Sequence, residues 1–260
     1  MTAFPPDTAP APATLALPGG LTIAYRRTPG SAPGIVFLGG FGSDMTGAKA
    51  TRLEAFARAR GQAFVRFDYL GHGASSGRFA DGTIGHWGND AMAVLDLLTD
   101  GPQILVGSSM GGWLMLLVAR ERPERVAGLF GLAAAPDFTE DLIWDQLGPA
   151  QRQQLEREGR IEQPSDYGQP YVITRELIEE GRDHLVLRRP LALPCPVRLI
   201  HGTADNDVPF DRSQMLLDAI DHDDVALTLL KNADHRLSDE RSLRAIEAVL
   251  EALLAELTPA

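Results

Sequence analysis

Ser109 is the centre of Gly107-Ser108-Ser109-Met110-Gly111, a match to the G-x-S-x-G pattern in which a serine is held on a sharp turn. A serine hydroxyl attacks an acyl carbon only when a base takes its proton, and that base needs an acid to fix its tautomer. With this kind of turn the partners follow the serine in the order acid, then histidine. Of the six histidines, only His222 and His235 lie beyond the strand that carries Asp205. His222 sits in the acidic run Asp221-His222-Asp223-Asp224, which reads as a solvated connection, whereas His235 follows the end of the last strand and is the expected base. Asp205, in the pattern H-G-x-x-D-x-x-V-P that starts at His201, is the expected acid, and Asp207 is the alternative. Asp234 adjoins the base and is too near in sequence to orient it easily; Ser108 has the wrong register between the glycines. A plain Gly/Ser turn explains the five-residue match taken alone, and a turn-forming aspartate explains Asp205 taken alone. Neither explains three roles in the right order at three strand ends.

The elements around these residues have the required form. Ile104, Leu105 and Val106 make a short apolar run suited to a strand buried on both faces, and from Gly112 an apolar helix-forming segment continues to Pro123. Strand and helix pass close together at such a turn, so Gly107 and Gly111 fit where larger side chains would collide. The turn lifts the Ser109 hydroxyl above the sheet, and the first helix amides, Met110 foremost, face the place where an oxyanion forms. A second glycine-rich turn, Gly39-Gly40-Phe41-Gly42-Ser43-Asp44, follows the core strand 34–38, and the Phe41 N–H is the expected second oxyanion donor. A phosphate cradle would need a following Lys-Ser/Thr, which is absent.

In chain order, strands are expected at 21–26, 34–38, 63–67, 104–106, 125–133, 197–200 and 225–230, alternating with helices at 46–60, 84–98, 112–122, 211–220 and 239–257. The fold class is thus α/β, with a mostly parallel central sheet flanked by helices. Residues 1–20, rich in proline and alanine, read as a flexible N-terminal arm, 21–135 as the first part of the core, and 191–260 as the second. Between them, 136–190 is rich in Gln, Glu and Arg without a buried-strand run, and it reads as a small inserted cap with helices at 149–157 and 175–181. His184 is expected to pack or face solvent within that cap. Asp68 and His72, in Asp68-x-x-Gly71-His72-Gly73-x-Ser75, look like an acid and a base but are expected to shape their loop.

Composition sets the remaining bounds. With 35 acidic against 24 basic residues the formal charge is -11, and no basic stripe appears, which excludes nucleic acid or an anionic membrane as an expected partner. No run reaches the roughly 18 apolar residues of a membrane span. The single cysteine, Cys195, makes no intrachain disulfide and is expected to be a small buried hydrophobe. The opening residues have neither a secretory signal pattern nor the arginines of a mitochondrial presequence, so the expected location is cytoplasmic. No metal or organic cofactor is expected, since no Cys/His or HExxH cluster is present. Oligomeric state and the acyl group are open.

Several longer stretches carry a resemblance: residues 43–50, 65–69, Gly101 to Leu116 (GPQILVGSSMGGWLML), 195–202 and 234–236. By these the chain resembles the α/β-hydrolase superfamily, and within it the subfamily of the mitochondrial palmitoyl-protein thioesterase, also known as mycophenolic acid acyl-glucuronide esterase. The chain reads as a bacterial-type relative. The resemblance implies a serine esterase or thioesterase with Ser109, Asp205 and His235 in the triad positions. A serine peptidase of the same fold, or a binding protein that keeps the fold without catalysis, are the competing readings.

Overall fold

The computed structural model describes residues 11–163 and 170–258. The chain opens with β1 (Ala13–Ala16), β2 (Thr22–Thr28) and β3 (Ser31–Leu38), then alternates α1 (Ala48–Ala59), β4 (Gln62–Phe67), α2 (Ile84–Leu98), β5 (Gln103–Ser108), α3 (Met110–Glu121) and β6 (Val126–Leu132). An insertion follows, with α4 (Pro149–Glu158), β7 (Arg160–Gln163), β8 (Tyr171–Thr174) and α5 (Arg175–Gly181). The chain then continues through β9 (Leu191–Ala192), β10 (Val197–Gly202), α6 (Asp211–Ala219), β11 (Ile220–Asp221), β12 (Val225–Leu230) and α7 (Glu240–Leu257).

Eight strands form one sheet in the order β1-β2-β4-β3-β5-β6-β10-β12. From β4 to β12 every pairing is parallel; only β1 and β2 join antiparallel at one edge. This is the α/β-hydrolase fold, a mostly parallel sheet with helices on both faces.

Side-chain alternation along the central strands builds the two faces. Val36, Leu38 and Leu105 join a core with α2 and α3, while Ile35, Phe37, Ile104 and Val106 point the other way, to α1 and α7. A strand covered on both sides loses the polar/apolar alternation of a half-exposed one, which is why β5 is buried at every position. Helix α3 is likewise buried from Met110 to Ala119. The sheet covers one side, while α2 and the insertion cover the other; Trp113 Nε1 donates to His184 O at 3.0 Å and its ring meets Phe138 edge-on.

Two elements depart from the sequence reading. Residues 13–16, expected in a flexible arm, pair with β2 as the edge strand, Ala13 opposite Tyr25 through Ala16 opposite Thr22. The rest of that arm, residues 1–10, lies outside the described residues. The insertion also holds an antiparallel hairpin, β7 with β8, where no strand is expected. Only Ile161 and Ile173 of the hairpin are buried, and each strand is four residues long, too short a run to mark a strand by periodicity. The insertion is tied down by polar contacts at its base. The Asp137 carboxylate accepts from the Val186 and Leu187 amides at 2.8 and 2.9 Å, and Asp141 pairs with Arg188 and with Arg212 of α6.

Candidate active site

The turn between β5 and α3 sets the position of Ser109. Its backbone stands at φ 53°, a left-handed angle that costs energy for a residue with a Cβ. The surroundings impose it: Ser109 N–H donates to Leu132 O at 3.0 Å, and Ser109 O accepts from Gly112 and Ala135 amides at 2.8 and 3.0 Å. A Cβ on Gly107 would overlap the Gly111 carbonyl, and one on Gly111 would overlap the Leu38 carbonyl at the end of β3. The two glycines are therefore demanded by contact of backbone with backbone.

Asp205 and His235 arrive on the loops after β10 and β12, the neighbouring strand ends. These loops are laced together: Thr203 N–H donates to Leu230 O, Ala204 N–H to Ala233 O, and a Cβ on Gly202 would overlap Ala233 O. The result is a continuous chain. His235 Nε2 lies 3.0 Å from Ser109 Oγ, and His235 Nδ1 lies 2.7 Å from Asp205 Oδ2. With Nδ1–H donating to the carboxylate, Nε2 presents its lone pair to the serine hydroxyl, the arrangement a general base needs.

The Asp205 carboxylate has no side-chain exposure and accepts four bonds. Oδ2 takes His235 and also His201 Nε2–H at 2.9 Å, while Oδ1 takes the Asp207 and Val208 amides at 3.0 and 2.8 Å. Burial alone would push its pKa up; the bonds from His201 and His235, the charge of His235 and the Val208 amide outweigh that and hold it well below the ordinary carboxylate range. His201 is a member of the site that the sequence pattern marks only as a landmark. Its Nε2 also bonds the Val208 carbonyl at 3.0 Å, which fixes the proton there, and Nδ1 accepts from Ser213 Oγ at 2.7 Å.

The alternatives separate clearly. Asp207 gives its amide to Asp205 and is exposed, with a carboxylate oxygen near the pair but not in the Asp205–His235 bond. Asp205, Asp207 and His235 are the only trio with metal-ligand atoms within 4.8 Å of one another among the described residues. Two of its members, Asp205 and His235, are already bonded to each other through Oδ2 and Nδ1. The Asp234 carboxylate accepts from the Leu237 amide in its own loop. His222 precedes β12, at the end of that strand away from His235, with Nδ1 accepting from the Asp224 amide. Cys195 is buried, and that burial pushes its thiol up to about 12, so it stays unionised. Asp68 accepts from the Met45 and Ala74 amides at 2.6 and 2.8 Å, which shapes two loops and leaves it outside the Ser109–His235–Asp205 chain. His184 Nε2 meets Glu180 at 2.7 Å, against Gly85 at the start of α2.

Phe41 and Met110 both border the cleft that holds Ser109, and neither amide donates to a protein acceptor among the described residues. Gly40 lets the loop close on Ser109: a Cβ there would sit 3.3 Å from Ser109 Cβ. The cleft has a volume of about 720 Å³. Phe41, Met110, Phe138, Leu142, Ile143 and Ile173 give it an apolar wall, the last four from the insertion. Asp44, Thr46, Lys49 and Arg236 also line it. Burial lowers the Lys49 pKa to about 8, and its ammonium donates to the Arg236 carbonyl beside the His235 loop.

The sequence profile described as alpha/beta hydrolase fold matches residues 33–161. The mitochondrial palmitoyl-protein thioesterase ABHD10 of Rattus norvegicus is 39% identical over 239 residues, covering 91% of this chain and 80% of the relative. Among solved structures, alpha/beta hydrolase domain-containing protein 10 from mouse superposes with a TM-score of 0.89 at 38% identity, over 96% of this chain and 100% of that one. A putative hydrolase from Agrobacterium vitis S4 has the same TM-score at 39% identity, over 94% and 99% of the two chains.

Proposed function

The chain belongs to the α/β-hydrolase family and is a hydrolase, and from that premise we propose that it cleaves carboxylic esters and thioesters through an acyl-enzyme on Ser109. The observation that carries this reading is the bonded chain from Ser109 Oγ through His235 to Asp205, opening on a cleft with one apolar wall. Ser109 Oγ attacks the acyl carbon as His235 Nε2 takes its proton. The Phe41 and Met110 amides receive the oxyanion, where preorganised donors lower the barrier most. His235 returns the proton to the leaving oxygen or sulfur, and then activates a water that releases the acid. Asp205 stays ionised and stabilises the imidazolium between these steps.

The thioester side of the reading is supported by the relatives, which are named palmitoyl-protein thioesterases. The apolar wall supports an acyl chain rather than a polar acid. The test is kcat/KM on acyl esters and acyl thioesters from acetyl to palmitoyl, with Ser109→Ala as the blank. Rates should rise with chain length, and Ser109→Ala should lower turnover by on the order of 10⁶ if chemistry is limiting. Turnover by the alanine variant within tenfold of wild type would remove Ser109 from its role. Cleavage of short peptides without ester turnover would replace the esterase by a peptidase.

A further inference from the structure

The loop that carries the Phe41 amide is fixed by a side chain from a different loop. Ser43 N–H donates to Gly40 O at 3.1 Å, closing a four-residue turn with Gly42 in third place at φ +68°. A left-handed residue there is the mark of a type II turn, whose central peptide is flipped relative to the commoner type I. The N–H of that central peptide belongs to Gly42, and it donates to His72 Nε2 at 3.2 Å. A backbone N–H can only donate, so Nε2 holds a lone pair and the ring proton is on Nδ1, which faces Leu70 O at 3.4 Å. The imidazole is 3% exposed and sits edge-on to Tyr69, Phe79 and Trp87 with centroids 5.0 to 5.5 Å away. On the other side of the turn stands Tyr171 of β8; a Cβ on Gly42 would lie 2.7 Å from its ring.

We infer that His72 is a positioning residue for acyl transfer: by accepting the Gly42 N–H it holds the central peptide of the oxyanion turn, and with it the aim of the Phe41 amide. The inference rests on Phe41 being an oxyanion donor, as in the function proposed above. A buried aromatic ring would fill the same space, but it would not hold the peptide in its flipped orientation. Since an oxyanion donor acts on the transition state and hardly on the bound ester, its misplacement lowers kcat and leaves KM nearly unchanged.

Two measurements test this. In wild-type protein with ¹⁵N-labelled histidine, two-bond ¹⁵N–¹H correlation at pH 7, with His72 assigned by its loss in His72→Gln, should show the proton on Nδ1. A proton on Nε2 would overturn the inference without reference to catalysis, even if His72→Leu does not fold. In kinetics, His72→Leu should lower kcat by about 10- to 100-fold on every ester, with KM within about threefold. It should weaken a trifluoromethyl ketone, which forms an oxyanion in the same place, by the same factor. His72→Gln, whose amide oxygen can accept from Gly42, should regain most of the loss. Equal losses in Leu and Gln, or a fall in kcat without the matching loss of ketone affinity, would reduce His72 to a packing residue. Full turnover by Ser109→Ala would instead sink the acyl-enzyme reading and leave the tautomer result standing.

Discussion

Asp205 takes four hydrogen bonds on two oxygens, and the way they divide sets it apart from Asp207. Oδ1 is used by the turn that follows it, so the carboxylate cannot rotate, and Oδ2 is left for the two imidazoles. His201, buried on β10 and pinned by Ser213, holds Oδ2 from behind while His235 approaches from the cleft. Asp205→Asn would keep the size but put an amide where two N–H groups now point. The expected outcome is a folded protein with kcat lower by roughly 10⁴, because the imidazole is forced toward the wrong tautomer. Steady-state kinetics beside an unchanged far-UV spectrum checks it; a loss below tenfold would shift the acid to Asp207. Ser109, Asp205 and His235, which the structure brings into one hydrogen-bonded chain, could be singled out in the sequence because each sits in a short local pattern and a set place in the chain order. His201 and His72 could not, since their roles depend on groups 12 and 30 residues away, Ser213 Oγ and the Gly42 amide.

At the scale of elements, the site depends on how closely α3 approaches β3 and β5. Gly111 faces the end of β3, and a methyl group there would overlap the Leu38 carbonyl, a backbone atom with no freedom to turn aside. Gly111→Ala should therefore push the start of α3 off the sheet, costing about 3 kcal/mol or more of stability and misplacing Ser109 and the Met110 amide together. Urea unfolding and kcat should both register it; a variant with wild-type stability and turnover would show that the close packing is not needed. The same packing made this part legible in the sequence. Apolar runs, glycine at contact points and proline as a stop give helix limits within a few residues, and α2 and α5 run from Ile84 to Leu98 and Arg175 to Gly181 as expected. Periodicity fails for β1 and for the β7–β8 hairpin. Each is a four-residue strand held by pairing with a neighbour more than by its own apolar face, and pairing leaves no mark in a single sequence. The insertion's hold on α6 through Asp141 and Arg212 is hidden for the same reason.

Over the whole molecule, the groups buried around the site give opposite responses to pH. Burial lowers His72 from 6.5 to about 4, so below pH 6.5 the unfolded chain takes up a proton that the folded chain refuses. Its contribution to stability is therefore lost as pH falls from 6.5 to 4, by about 3 kcal/mol at 1.36 kcal/mol per pH unit. Asp90, which accepts the Leu70 amide, is raised by its burial from 3.8 to about 6. Here the folded chain keeps a proton that the unfolded chain has released, so stability is lost as pH rises from 3.8 to 6, again by about 3 kcal/mol. The two slopes oppose each other across pH 4 to 6. Asp205, held low, keeps its full stabilising contribution above the ordinary carboxylate range and loses it only below that range, so its pH dependence stays out of that window. Asp68 and Asp137, raised by burial, share the sign of Asp90, and they cancel when a variant is compared with wild type. Unfolding in urea at pH 4 and pH 7 should then show Asp90→Asn losing about 3 kcal/mol more than wild type on going to the lower pH. His72→Gln should lose about 3 kcal/mol less than wild type over the same interval. Parallel profiles for both variants and wild type would mean that neither group is held in its uncharged form by the fold.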